Sequence, residues 1–366
     1  MPWPVLISAT ELGPRIALKF GICDCCAHAG GARGLKERIS ELMKSGQVPG
    51  LAIFTTRDGV EGIGAFGVRN IETGAPVDAH TVFESASLSK PAVAHAALQL
   101  VDAGQLDLDE PLSRFVGQLV PRDPASASIT ARHVLSHTTG LPNWRRNDVP
   151  LRTYFPPGSR FSYSGEGFVY LQSALERLTG ERLDIILQRN VLAPLGMNNS
   201  SFVWQDSFAE NAAFGHDRKG KVEAKFKPDR ANAAFSLHTT SSDYGRFVVA
   251  AMEGTLLSEG AARLWMEPQI ATPRGRFEAL ESIPPETEPG VYWGLGWGVE
   301  PDAKAFFHWG ANPGMTAFVL AMPTKHAAFV VFMNSDTGLN IVPGIVEYLM
   351  QGQHPALSWL GLPQQP

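Results

Sequence analysis

Residues 92–103 form a run of small apolar side chains, broken only by His95, Gln99 and Asp102 and closed by Gly104. Such a stretch predicts a tightly packed helix with a glycine stop. What precedes it gives that helix chemical interest. Ser87-Leu88-Ser89-Lys90 puts a hydroxyl and an amine three residues apart at the helix start, and positions i and i+3 of a helix share one face. An uncharged lysine there could take the serine's proton, and burial beside another cation would keep it uncharged. Unpaired amides and the positive dipole end at a helix start favour developing negative charge. Pro91 opposes helical geometry at Lys90, yet it is tolerated in a first turn and fixes the helix start close to Ser87. Alone, the same spacing also describes an ordinary N-cap.

The remaining chain reads as strand, helical insert and strand. Residues 35–43 are helix-like. Residues 51–56 and 62–68 read as strands joined by the turn signal Arg57-Asp58-Gly59. From about residue 92 to 247 the pattern is helices and long loops, with turn clusters at Pro156-Pro157-Gly158 and Pro194–Gly196. Runs at 305–308, 317–321 and 327–333 read as adjacent strands, and residues 341–351 as a covering helix. This order predicts one α/β unit of two lobes over residues 35–355, with the active site in the cleft between them. Residues 1–34 stand as an N-terminal extension of no assigned role and residues 356–366 as a C-terminal tail.

Composition narrows the function. At 366 residues, 44% hydrophobic and 18% charged, the chain can bury a large core. Its net charge of -5 gives no basic surface for nucleic acid, and no apolar run is long enough for membrane insertion. Cys23, Cys25 and Cys26 crowd beside His28 with no other cysteine in the chain, which excludes a disulfide framework and fits incidental thiols better than a closed zinc site. Neither a metal nor a cofactor is expected. Glu11, Arg15 and Lys19 interrupt the first residues, so they do not read as a secretory signal, and a cytoplasmic location is favoured.

Two further segments carry chemistry if they reach Ser87. Tyr163-Ser164-Gly165 lies in a loop before a helix-like stretch at 166–178; its phenol could relay a proton to a leaving group if cationic neighbours lowered its pKa. His308-Trp309-Gly310 ends a strand-like run. There His308 could supply positive charge or shuttle protons, Gly310 would permit close approach, and the next amide, of Ala311, could face an oxyanion. His133 and His137 have the spacing of a zinc helix but lack its glutamate, since Val134 stands there, so both read as structural, with His137 bonding a nearby loop. The chain contains no GxSxG elbow, phosphate loop or dinucleotide fingerprint.

In order, Phe83-Glu84-Ser85-Ala86-Ser87-Leu88-Ser89-Lys90, Tyr163-Ser164-Gly165 and His308-Trp309-Gly310 resemble the three motifs of the serine beta-lactamase and penicillin-binding protein superfamily. The nearest branch is that of class C beta-lactamases, D,D-peptidases, D-amino-acid peptidases and related carboxylesterases. Leu135-Ser136-His137-Thr138-Thr139-Gly140-Leu141, Pro194-Leu195-Gly196-Met197 and Gly294-Leu295-Gly296-Trp297 are similar to that branch too, so the resemblance spans roughly residues 35 to 350. It implies a beta-lactamase/transpeptidase-like fold, an antiparallel sheet flanked by helices plus a mainly helical lobe. It further implies that Ser87 forms an acyl-enzyme, that Lys90 and Tyr163 share the general-base and general-acid duties, and that the Ser87 and Ala311 amides form an oxyanion hole, each donor commonly worth about 3 kcal/mol.

Two positions depart from the pattern. Gly165 replaces an asparagine that orients a substrate amide, and Trp309 replaces a hydroxyl residue that helps hold a substrate carboxylate. Trp144, Trp309 and Tyr292 could instead line a pocket for an uncharged acyl or alkyl group. The resulting expectation is a serine hydrolase, a carboxylesterase first, acting on a small-molecule ester. The alternatives are a beta-lactamase or D-peptidase acting on amides and, from another class, a non-catalytic sensor that acylates without turnover. The sequence leaves oligomeric state open.

Overall fold

The turn at Arg57-Asp58-Gly59 is a two-residue hairpin, with Arg57 opposite Val60 and both Asp58 and Gly59 at positive φ, 51° and 78°. That is the geometry aspartate and glycine favour. In the computed structural model, which describes residues 31–280, 286–350 and 352–362, the hairpin joins β1 (Gly50–Arg57) to β2 (Val60–Asn70) after helix α1 (Gly31–Gly46). Short strands β3 (Ala75–Pro76) and β4 (Phe83–Glu84) lead into α2 (Ser89–Asp102). The lobe that follows contains α3 (Ser113–Val116), α4 (Ala131–Leu135), α5 (Gly165–Thr179), α6 (Leu183–Leu187) and β5 (His238–Thr239), the last paired with β4. Helices α7 (Ser241–Glu253) and α8 (Glu259–Met266) return the chain to the sheet, built further from β6 (Ile270–Pro273), β7 (Thr287–Trp293), β8 (Gly298–Glu300), β9 (Ala305–Asn312), β10 (Met315–Met322) and β11 (Ala327–Met333). Helices α9 (Val342–Leu349) and α10 (Pro355–Trp359) finish it.

The nine-stranded antiparallel sheet runs β3-β2-β1-β11-β10-β9-β8-β7-β6. Pairing of β1 with β11, Leu51 opposite Met333, makes the two ends of the chain one sheet. Alternate residues feed two cores. Ala52, Phe54, Val330 and Phe332 pack toward the helical lobe, and Leu51, Ile53, Phe329 and Val331 pack toward α1 and α9. Because both faces are covered, these strands read as continuous apolar runs. α2 lies inside the first core with Ala92, Val93, Ala94, Ala96 and Ala97 fully buried, and Gly104 follows its end at φ 68°.

Three boundaries differ from the sequence reading. The helical insert does not extend to residue 247, because α7 lies on β1 and β11, with Gly245 so close to the Phe54 ring that a Cβ would come within 2.3 Å of it. Strands β6 and β8 escape the pattern because they are short, and β7 because Thr287–Trp293 carries a proline and a glycine. Residues 356–362 are core rather than tail: Ala356, Leu357 and Trp359 are buried, and the Trp359 indole donates to the Pro273 carbonyl at 2.9 Å. Cys23, Cys25, Cys26 and His28 lie outside the described residues.

Candidate active site

Ser87 sits in a 3-10 turn, Ala86–Leu88, that runs directly into α2. Ala86 enters it at φ 49°, a left-handed conformation costly for a residue with a Cβ. The surroundings hold that turn in place. Ser85 donates from both its amide and its hydroxyl to the Leu237 carbonyl, each at 2.9 Å. Ser89 donates to the Ala86 carbonyl at 2.7 Å and Tyr244 to the Leu88 carbonyl at 2.8 Å. Ser87 alone in this turn is half-exposed, and its hydroxyl faces Lys90 rather than capping the helix.

Lys90 Nζ stands 3.0 Å from Ser87 Oγ and 2.8 Å from the Ala234 carbonyl, with no carboxylate paired to it among the described residues. Pro91 falls in the first turn of α2, so Lys90 keeps helical geometry and its side chain points along the Ser87 face. Burial pushes its pKa well below the ordinary lysine value. The expected neighbouring cation is not what does this; desolvation suffices.

Tyr163 lies just before α5, whose N-cap Ser164 accepts from the Gly167 amide. Its ring centroid is 4.8 Å from Lys90 Nζ. Burial raises the phenol pKa, and the nearby Ser87 hydroxyl offsets this only in part. The expected lowering by cations is therefore reversed, because an uncharged Lys90 offers none. The phenol lies near Ser87 but outside hydrogen-bond geometry, and it has no partner among the described residues. His137 holds this loop: its Nδ1 accepts from the Ser164 amide at 3.0 Å, and its ring lies 4.1 Å from that of Tyr163. Burial keeps it neutral. The zinc-like spacing with His133 is incidental, since His133 instead completes the capping box of α4 with Thr130.

Strand β9 supplies the opposite wall. β8 pairs with it no further than Phe307, which leaves the edge from His308 onward open beside the Ser87 turn. At Gly310 a Cβ would lie 2.4 Å from the Ser85 carbonyl oxygen and 3.2 Å from the Ser87 amide nitrogen. Only glycine fits there, and it brings Ala311 next to Ser87. His308, in contrast, is fully buried within β9, with Nδ1 2.7 Å from the carbonyl of its neighbour Trp309 and a pKa lowered by burial to about 3. It is neutral at ordinary pH, so the positive charge expected of it is not available.

The aromatic residues divide. Trp309 is 9% exposed and packs between the Tyr163 and Trp359 rings, at 5.1 and 5.6 Å. It braces Tyr163 and offers the cleft little area. Tyr292 projects from the face of β7 opposite Trp293, whose ring is the one that approaches Tyr163. Trp144 is 42% exposed and lies over Gly165, where a Cβ would come within 2.7 Å of its ring. Its backbone is fixed by both neighbours. Asn143 accepts the Gly165 and Glu166 amides at 3.0 Å, and Arg145 binds buried Glu166 through several bonds of 2.6 to 2.9 Å. Phe277, 44% exposed, stands edge-on to Tyr163 at 6.2 Å between ring centroids. Sequence reasoning missed Phe277 and the clamping of Trp144, because both depend on loops brought together only in the fold. Among the described residues no helix is long and apolar enough to cross a membrane, and no three His, Cys, Asp or Glu side chains are placed to hold a metal.

An antiparallel sheet flanked by helices, with a serine turn and a buried lysine at its junction with a helical lobe, is a serine-hydrolase-type architecture. The model of the beta-lactamase family matches residues 35–343. The chain belongs to that family. It is 24% identical over 349 residues to penicillin-binding protein 4 of Amycolatopsis lactamdurans, covering 86% of this chain and 88% of that protein. It is 23% identical over 337 residues to protein flp of Staphylococcus aureus, covering 85% of this chain but spanning only 64% of that protein's length. Among solved structures, the octameric penicillin-binding protein homologue from Pyrococcus abyssi superposes with a TM-score of 0.73 at 24% identity, over 88% of this chain and 78% of that one. A class C beta-lactamase superposes at 0.72 and 20% identity, over 88% and 97%.

Proposed function

We propose that this protein is a serine hydrolase that works through an acyl-enzyme on Ser87. The observation that carries this is the 3.0 Å contact between Ser87 Oγ and a lysine deprived of charge by burial. Ser87 Oγ attacks the substrate carbonyl as its proton passes to Lys90 Nζ. The oxyanion that forms meets the amides of Ser87 and Ala311, where each donor contributes about 3 kcal/mol. Tyr163, with its pKa raised, is a phenol at neutral pH and a proton donor rather than a base, which supports Lys90 as the base and Tyr163 as a donor to the leaving group. Lys90 returns the proton it took to Tyr163, and water then attacks the acyl carbonyl, giving its proton to Lys90, which passes it to Ser87 Oγ as the acid leaves.

The names of the relatives support the amide reading, a beta-lactam or D-amino-acid peptide, more than they support an esterase. The ester reading rests on Trp144 and Gly165. The space where an amide-orienting side chain would stand is filled by an indole, and Trp309 offers no hydroxyl for a substrate carboxylate. Trp144 over Gly165 makes an apolar wall suited to an uncharged acyl group, with an ester leaving group that needs less orientation. Rates measured side by side on p-nitrophenyl butyrate, nitrocefin and D-alanine p-nitroanilide decide between them. A butyrate rate well above the other two is expected, and nitrocefin turnover exceeding it would transfer the assignment to beta-lactams. Failure of a fluorophosphonate to label Ser87 would remove both.

A further inference from the structure

Three side chains outside the reacting groups converge where the Ser87 turn meets β9. Glu84, three residues before Ser87, is 6% exposed. Its Oε2 accepts from Asn312 Nδ2 at 3.0 Å, and its Oε1 lies 3.8 Å from Lys225 Nζ, itself buried and donating to the Ala213 carbonyl. Burial pushes the Glu84 carboxyl up and the Lys225 amine down to about 8, and each opposes the other's shift. A charged group is expensive to bury, and an apolar pair of similar volume is often at least as stable. A carboxylate kept here therefore calls for a use.

The connectivity supplies one. Glu84 and Ser87 share one backbone segment, and Asn312 directly follows Ala311 on the other. The Glu84–Asn312 bond thus crosses the seam between the two amides that face the oxyanion. Among the described residues β9 has no strand partner on this side after Phe307, and at Gly310 it lies in close contact with the Ser85 carbonyl, the Ala86 side chain and the Ser87 amide. Contact of that kind sets how close the segments come but does not stop them sliding or parting. A directional bond does, and Lys225 holds the carboxylate's second oxygen so that the first stays aimed at Asn312.

We propose that Glu84, Asn312 and Lys225 form a positioning group that fixes the separation of the Ser87 and Ala311 amides, and so the fit of the oxyanion hole, a proposal that rests on the acyl-enzyme reading above. Misplacement by about 1 Å can cost on the order of 100-fold in rate, so Asn312→Ala and Glu84→Ala are each expected to lower kcat by roughly 10- to 100-fold, with KM held within a factor of about two. Affinity for a phenylboronic acid, whose tetrahedral serine adduct places an oxygen in the hole, falls in step with kcat. Glu84→Gln, which keeps an acceptor for Asn312, loses less, and the double alanine variant is no worse than either single one. Asn312 is half-exposed, so its variant provides a folded test even if the Glu84 variants do not fold. Wild-type kcat and boronate affinity in Asn312→Ala, or a loss confined to KM, overturns the proposal while the Ser87 label stands. Wild-type protein that takes no label on Ser87 overturns the acyl-enzyme reading and this proposal with it.

Discussion

Placing asparagine at position 165 tests whether Trp144 has taken over the space of the family's amide-orienting side chain. A Cβ there meets two indole carbons at 2.7 Å and the Asn143 carbonyl oxygen at 3.1 Å, so Gly165→Asn must drive the ring out or distort the start of α5. Overpacking of this sort costs about 1–3 kcal/mol, and part of it is the lost edge contact of Trp144 with Phe235, 5.5 Å between centroids, worth about 0.5–1.5 kcal/mol. Trp144→Ala alone removes a ring that is 42% exposed. The part it buries is worth about 3 kcal/mol at most. The two changes share one space, so in the double variant the asparagine fills what the indole vacated. Its stability should exceed the additive expectation by about 1 kcal/mol or more. Urea unfolding of the four proteins measures this, and p-nitrophenyl ester rates across acyl lengths measure the function: Trp144→Ala should raise KM for the longer acyl chains by about 10-fold, equivalent to about 1.4 kcal/mol. Strict additivity, together with an unchanged acyl-length profile, would refute the idea that Trp144 is both the occupant of that space and the acyl wall.

The pH dependence of kcat/KM for an ester should show an ascending limb as Lys90 loses its proton and no descending limb near neutrality, because burial raises the Tyr163 phenol and holds His308 near 3; a bell centred near pH 7 would contradict the assignment. Lys90→Met should cut ester turnover by roughly 100- to 10,000-fold yet raise the thermal midpoint. The folded pKa of Lys90 is depressed, so below the unfolded value of about 10.4 the unfolded chain binds the extra proton, and the lysine destabilises the fold at neutral pH. Gly310→Ala would force the Ser85 carbonyl and β9 apart by more than half an ångström, and fluorophosphonate labelling of Ser87 should slow by about 100-fold while circular dichroism is unchanged. Trp359→Ala should destabilise the protein by about 3–5 kcal/mol in urea unfolding, an effect no peripheral tail would produce.

Strands β1, β2, β9, β10 and β11, the central helix and the order of the three motifs were legible in the sequence, because each is written in local code. The 57–59 turn needs residues that accept positive φ, β10 and β11 need apolar side chains on both faces, and α2 needs small ones to lie inside the core. The Ser87–Lys90 pairing follows from helix geometry alone. The protonation of the site was not legible. Lys90 and Tyr163 both take their state from being buried together without a counter-charge, and His308 is neutral for the same reason; burial is a property of the whole packing. Nor could the sequence show that residues 356–362 complete the core beneath Trp309, that His137 holds the Tyr163 loop, or that Trp144 covers Gly165. Those contacts join residues 21 to 50 positions apart, through loops whose paths only the finished fold sets. The sequence by itself determined the Ser87–Lys90 spacing and the helix behind it; the tertiary structure decided the charge of the neighbouring groups and the shape of the space in front of them, because desolvation and close approach exist only once distant segments have packed.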